Sequence, residues 1–219
     1  MKVFRLVFVF VLLGFSAKSQ FSISGQATFM HFLGDTKLKH FGGGAKFEYE
    51  YNSWAGLYFG FNGFSQSSYT GIVFAEAWGD ETRPFVAEIP TPSVVSFLQP
   101  FIGTRVYFVG EIEADIRGGI GVYGIGELSL LVGSGTSQVS SEGYDLFYNV
   151  PITGEVKGTF YNYTAALGIG VEKPISKILL YAEAKFLARI NEANSYSVTT
   201  DIPFGLSYFM GVRYPLFQY

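Results

Sequence analysis

The chain of 219 residues has no cysteine, which excludes a disulfide framework, a thiolate metal site and a cysteine nucleophile. The same absence excludes a bacterial lipoprotein, whose anchor needs a cysteine at the cleavage site. Charge is scarce: 15% of residues are charged, against about 25% in ordinary soluble domains. The net charge is −3 and no basic run occurs, which excludes nucleic acid as a partner. Beyond residue 20 no apolar run approaches the roughly 20 residues of a membrane-spanning helix. Glycine and aromatics are abundant instead, with 27 Gly, 23 Phe and 15 Tyr. That composition is opposed to disorder, which goes with few aromatics and high charge.

The first residues read as an export signal. Lys2 and Arg5 make a basic start, Leu6 to Phe15 is a short apolar run, and Ala17 and Ser19 supply small residues at positions −3 and −1 of a cleavage site. Cleavage is expected after Ser19, so that residues 1–19 are a signal peptide and 20–219 the mature domain. Removing Lys2, Arg5 and Lys18 leaves twelve basic against eighteen acidic residues, a net charge of −6.

The mature chain carries its apolar residues at period two, which is a strand signal. Eight alternating segments stand out: Phe21–Leu33, Ala45–Tyr51, Ala55–Phe64, Phe97–Phe108, Ile112–Leu130, Thr159–Val171, Ile178–Ile190 and Phe204–Leu216. Most reach the roughly 9–11 residues a membrane strand needs. In the seventh, Ile178, Leu180, Ala182, Ala184 and Phe186 oppose Glu183 and Lys185. In a soluble barrel or sandwich the water-facing side is the polar one. Here both signs of charge share one face and the other face carries none.

The connections alternate in length. Asn52-Ser53-Trp54, Val109-Gly110-Glu111 and Glu172–Lys177 are short, whereas residues 34–44, 65–96, 131–158 and 191–203 are long and richer in Gly, Ser, Thr and Pro. Outer-membrane barrels have short periplasmic turns and long outer loops, and eight strands bring both chain ends to the periplasmic side. The pattern predicts an all-β fold, an eight-stranded antiparallel up-and-down transmembrane β-barrel in the cell outer membrane, with bilayer lipid around it.

On the proposed lumen face lie Lys46, Arg105, Arg117, Lys185, Arg189 and Arg213, with Glu48, Glu50, Glu113, Asp115, Glu172 and Glu183. Six stand against six. The interior of an eight-stranded barrel is just wide enough for side chains to fill, and unpaired buried charges are costly. The balance predicts an ion-pair network that closes the lumen. Tyr49, Tyr51, Trp54, Tyr107, Phe108, Tyr214 and Phe217 are expected at the periplasmic interface, and Phe29, Phe64, Phe160 and Tyr161 at the outer one, as aromatic belts.

The signal peptide, the eight strands and the ending Gly211-Val212-Arg213-Tyr214-Pro215-Leu216-Phe217-Gln218-Tyr219 resemble small outer-membrane barrels. The pattern is similar to the PorT-like outer membrane protein beta-barrel family of Bacteroidota, and more loosely to OmpA and OmpX barrels. The resemblance covers about residues 20–219. It implies an integral outer-membrane protein, and Tyr219 resembles the signal read by the barrel-assembly machinery. Pro215 departs from that signal.

Chemistry has little to work with. His31 shares the outward parity of Phe29 and Leu33, His40 falls in the first loop, and Ser65, Ser67 and Ser68 form no ordered motif with either. Glu76, Asp80 and Glu81 lack the spacing of a calcium loop. The glycines around Gly121 and Gly124 sit in a strand with no following helix, which excludes a nucleotide loop. The expectation is a non-enzymatic barrel with no metal or cofactor. Its role is structural or interactive: outer loops as contact surface, and other envelope proteins as partners in a larger envelope or secretion complex. The alternative is a small passive channel for hydrophobic or small polar solutes, as in OmpW-like barrels.

Overall fold

The computed structural model describes residues 20–33, 38–52, 54–77, 84, 86–109, 119–142, 144, 147–150, 153–190 and 204–216. The expected signal peptide lies outside them. Among the described residues nine strands follow one another: β1 (Gln20–Leu33), β2 (Lys39–Asn52), β3 (Ala55–Ala77), β4 (Val86–Val109), β5 (Gly121–Val139), β6 (Tyr148–Asn149), β7 (Gly154–Ile175), β8 (Ile178–Arg189) and β9 (Phe204–Pro215). Every pairing is antiparallel, in the order β2-β1-β9-β8-β7-β5-β4-β3-β6. The additional β2–β3 pairing closes eight of the strands into a ring, and β6 only adds to the far end of β3. The fold is thus the expected eight-stranded antiparallel barrel. Closure matters because it leaves no strand edge in the wall, the condition for a sheet to cross hydrocarbon.

Side chains alternate across the wall as period two requires. Leu167 (73% exposed), Met210 (70%) and Phe108 (68%) point out, while Arg213 (1%) and Lys46 (2%) point in. The fold is therefore inverted relative to a soluble barrel. At one end the chain turns tightly. Asn52 Oδ1 accepts from the backbone N–H of Ala55 at 2.7 Å, and Ile175 faces Ile178 across a two-residue turn in which Ser176 takes the left-handed conformation, φ 59°. Both described chain ends meet here, with Leu216 N donating to Phe21 O.

Several boundaries differ from the sequence expectation. The reversal between β4 and β5 is not at 109–111: Val109 faces Val122, so the connection runs from 110 to 120. Residues 110–118 lie outside the described residues, and with them Glu113, Asp115 and Arg117. The fifth segment is expected from Ile112, and within it β5 is described from Gly121.

At the other end the strands are longer than expected. β3, β4, β5 and β7 have 23, 24, 19 and 22 residues, whereas β1, β2, β8 and β9 have 12 to 14. Pairing of β2 with β3 stops at Gly42–Phe64, and that of β8 with β7 at Arg189–Thr164. Above those rows β3, β4, β5 and β7 continue as a four-stranded sheet rising from one half of the rim. Much of what reads as loop in 65–96 and 131–158 is this raised sheet. Tyr144, Phe147 and Val150 fold back against Ala75, Ile89 and Tyr148 on it.

Candidate functional site in the barrel lumen

Lumen-facing positions of the strands stack in three layers. In the layer next to the tight turns, Glu48 of β2 is central. It accepts from Ser24 Oγ of β1, from Arg105 Nη1 of β4, and from Arg213 Nε of β9 at 3.1 Å. Arg105 also pairs with Glu50 through Nη2. Arg213 Nη1 reaches Glu172 of β7 at 2.6 Å, and Tyr107 donates to the other oxygen of Glu172 at 2.6 Å. All these groups are buried. One row further in, Lys46 Nζ binds Glu183 at 2.7 Å, and Lys185 Nζ binds Glu127 at 2.5 Å and Glu183 at 3.3 Å. Tyr58 donates to Glu127 and Tyr123 to Glu183.

Above the charges lies a neutral polar layer. Tyr181 donates to Gln26, Gln26 to Asn62, Asn62 to Gln99 and Gln99 to Ser129, each at 2.6 to 3.1 Å. Ser129 then meets Thr164 at 2.6 Å. The third layer is apolar: Met30, Phe32, Leu38, Phe64, Val95, Phe97 and Leu131, with Tyr69 and Phe160 against them.

Space for this packing comes from glycines on the lumen face. Tyr58 lies directly across the ladder from Gly103, Tyr123 from Gly170 and Tyr181 from Gly211. A Cβ on any of the three glycines would strike the facing tyrosine ring or its hydroxyl. Each ring therefore lies flat over a strand that has no side chain to obstruct it, leaving its hydroxyl free to reach a carboxylate or amide.

The structure brings eight of the twelve expected residues together. Lys46, Glu48, Glu50, Arg105, Glu172, Glu183, Lys185 and Arg213 converge as one buried cluster. Arg189 lies half-buried at the upper end of β8, opposite Thr164. Glu113, Asp115 and Arg117 lie outside the described residues, so a six-to-six balance is not what the described lumen holds. It holds four cations, Lys46, Arg105, Lys185 and Arg213, and five carboxylates, because Glu127 was not anticipated. Its signal was its parity: it alternates with Leu128 as Ser129 does. The tyrosines were missed for a different reason. Tyr107, assigned to the interfacial belt, is a lumen residue, and Phe64 and Phe160 belong to the apolar layer rather than the outer belt. Aromatic rings near strand ends serve lipid and lumen equally well, and only the phase of the strand separates them.

His40 is also corrected. It lies in β2 and is fully buried, not in a loop, since β2 begins at Lys39. The Gly42-Gly43-Gly44 run reads as loop, but a Cβ on Gly42 would run into the Gly63 carbonyl oxygen, so glycine is what lets β2 and β3 approach there. His40 Nδ1 contacts the carbonyl oxygen of Ser65, not a serine hydroxyl, and Ser67 Oγ is engaged by the Lys39 carbonyl.

No protein-family model and no curated protein sequence matches the chain. Solved structures do. Neisserial surface protein A is similar at TM-score 0.54 and 11% identity, over 90% of this chain and 99% of that one. A major outer membrane protein from Thermus thermophilus is similar at TM-score 0.53 and 11% identity, over 91% of this chain and 100% of that one. At such identity the likeness is one of fold: this chain has the fold of small outer-membrane barrels.

Proposed function

We propose that the chain is an integral outer-membrane protein, exported by a signal peptide cleaved after Ser19 and inserted by the barrel-assembly machinery. Its role is non-catalytic: a closed barrel that anchors a contact surface for other envelope proteins, as an accessory subunit of a larger envelope or secretion complex. One observation carries the reading. Every strongly buried charge of the described wall faces the lumen and is paired there, while the outward face offers hydrocarbon around the ring. Such a wall suits lipid outside and side chains inside. The raised sheet of β3, β4, β5 and β7 is the contact surface in this reading. Kinship with the PorT-like barrels belongs to the same proposal, supported by the leader, the eight strands and the ending Gly211–Tyr219.

The test is fractionation of cells expressing the full chain, followed by electrophoresis with and without boiling and by planar-bilayer recording. The reading expects the mature protein in the outer-membrane fraction, heat-modifiable migration, a new N-terminus at Gln20 and little conductance at neutral pH. A protein that is soluble in the periplasm without detergent would overturn it. A large steady conductance would instead promote the passive channel.

A further inference from the structure

The outermost layer of the lumen is largely apolar, and His40 is buried in it, with the buried Ser207 of β9 across the ladder from Met30 in the same row. His40 has no exposure at all, and its ring meets Phe97 edge-on at 4.7 Å and 86° and Phe32 at 5.9 Å and 71°. Nδ1 lies 3.0 Å from the carbonyl oxygen of Ser65. A carbonyl only accepts, so Nδ1 carries the proton and Nε2 holds the lone pair. Nε2 has no hydrogen-bond partner. The imidazole is thus held neutral by geometry, with its basic nitrogen turned into hydrocarbon.

Protonating Nε2 would place a full charge in that layer. The elements packed there offer no counter-charge among the described residues: Met30 and Phe32 from β1, Phe64 and the Ser65 carbonyl from β3, Phe97 from β4 and the neutral Ser207 from β9. Tyr69, which packs against the cluster, is neutral at physiological pH. Lys39 beside His40 is exposed on the outward face, with His31 opposite it. The carboxylates of the ion-pair layer lie deeper, beyond the amides of Gln26, Asn62 and Gln99. An uncompensated buried charge is strongly disfavoured, so the proton is better accommodated with the plug opened to water.

We propose that His40 makes the outer plug of the lumen acid-sensitive, protonation at Nε2 shifting it from closed to open. The direction follows from linkage. In the open state the imidazole titrates near its ordinary value of about 6.5, whereas the closed state retains the neutral form. The open state therefore gains protons as pH falls below about 6.5, and the balance moves toward it; above that pH nothing changes. Between pH 7.5 and 5.0 one such group raises the open-to-closed ratio by up to about 30-fold.

This inference rests on the reading of the chain as a closed membrane barrel, and the experiment separates the two. Amide exchange at residues 38–42 and 64–65 of the purified full barrel is followed in detergent at pH 7.5 and 5.0 for wild type, His40→Phe and His40→Gln, each rate expressed as protection relative to the intrinsic exchange rate at that pH, and conductance is recorded in planar bilayers at both pH values. The expected result is wild-type protection that falls by up to about 30-fold at pH 5.0, two variants whose protection does not change, and little conductance at either pH because the amide and ion-pair layers below still fill the lumen. Should His40→Phe fail to assemble, His40→Gln carries the comparison. Unchanged wild-type protection at pH 5.0, or variants that lose protection as wild type does, overturns the acid-sensitive plug alone. A wild type that conducts at pH 7.5 overturns the closed-lumen reading.

Discussion

The two ends of the lumen are closed by different chemistry. Next to the tight turns, space is filled by Arg105, Arg213, Lys46 and Lys185 against five glutamates, in pairs that cross between strands. At the raised rim it is filled by Met30, Phe32, Phe64, Phe97 and Leu131. A charged network fixes geometry through direction: each carboxylate needs a specific donor, so strands β1, β2, β4, β5, β7, β8 and β9 are tied into one register. A hydrocarbon cluster is indifferent to direction and sensitive to volume. The ionic end should therefore fail when a partner is removed, and the apolar end when a void is made or a charge is introduced.

The largest effect is expected from Glu48→Ala. It leaves Arg105 and Arg213 without their shared carboxylate, and breaking a buried pair costs about 3–5 kcal/mol. The barrel should unfold at markedly lower urea, read by the loss of heat-modifiable migration. A midpoint equal to wild type would mean that the ionic layer does not hold the register. Phe97→Ala should cost a comparable or slightly smaller amount, about 3 kcal/mol for a large core aromatic, with amide exchange rising at the rim and not around Glu48. On the outside, Leu167→Arg places a charge in the lipid band at about 2–4 kcal/mol and should reduce assembled protein in the membrane fraction.

A sharper test of the ionic end uses the tyrosine–glycine pairs. Gly170→Ala drives a Cβ into Tyr123, and overpacking of this kind costs about 1–3 kcal/mol. The double variant with Tyr123→Ala should recover part of the loss, since the clash is gone; no recovery would separate the glycine from the ring. The smallest effect belongs to the Glu155–Lys157 pair on the raised sheet, whose side chains are 48% and 73% exposed. Such surface pairs contribute about 0–1 kcal/mol and are screened by salt. Lys157→Ala should leave the unfolding midpoint unchanged.

The wall was more legible in the sequence than either rim. Between about Ile23 and Leu33, or Tyr161 and Val171, one face must be hydrocarbon, so period two is enforced and the lumen residues follow by parity. Lys46, Glu48, Arg105 and Glu183 were readable for that reason. Beyond the closed ring the constraint lapses: along β3 beyond Phe64 the outward face carries Thr70 and Glu76 beside Ile72 and Phe74, and the alternation no longer distinguishes strand from loop. A bulge between Phe64 and Ser67 also shifts the phase there. Before Gly121 the alternation of Ile112, Ala114 and Ile116 reads as continuous strand, whereas the ladder pairs Val109 directly with Val122. Which partner each charge takes was never in the sequence, because it depends on stagger across strands far apart in the chain, as Lys46 with Glu183 shows.

The central claim, a lipid-facing wall around a side-chain-filled lumen, is tested most directly by labelling. Because the chain has no cysteine, single-cysteine variants at each of residues 161–172 of β7 report one position at a time. Reaction is measured in intact outer membranes at neutral pH with a water-soluble and a lipid-soluble maleimide. The account predicts that Tyr161, Tyr163, Ala165, Leu167, Ile169 and Val171 positions react only with the lipid-soluble reagent, and that the alternate positions, from Asn162 to Glu172, react with neither. Water-soluble labelling of the alternate positions would reveal an open aqueous pore, and water-soluble labelling of the Leu167 series would mean that the wall does not face lipid.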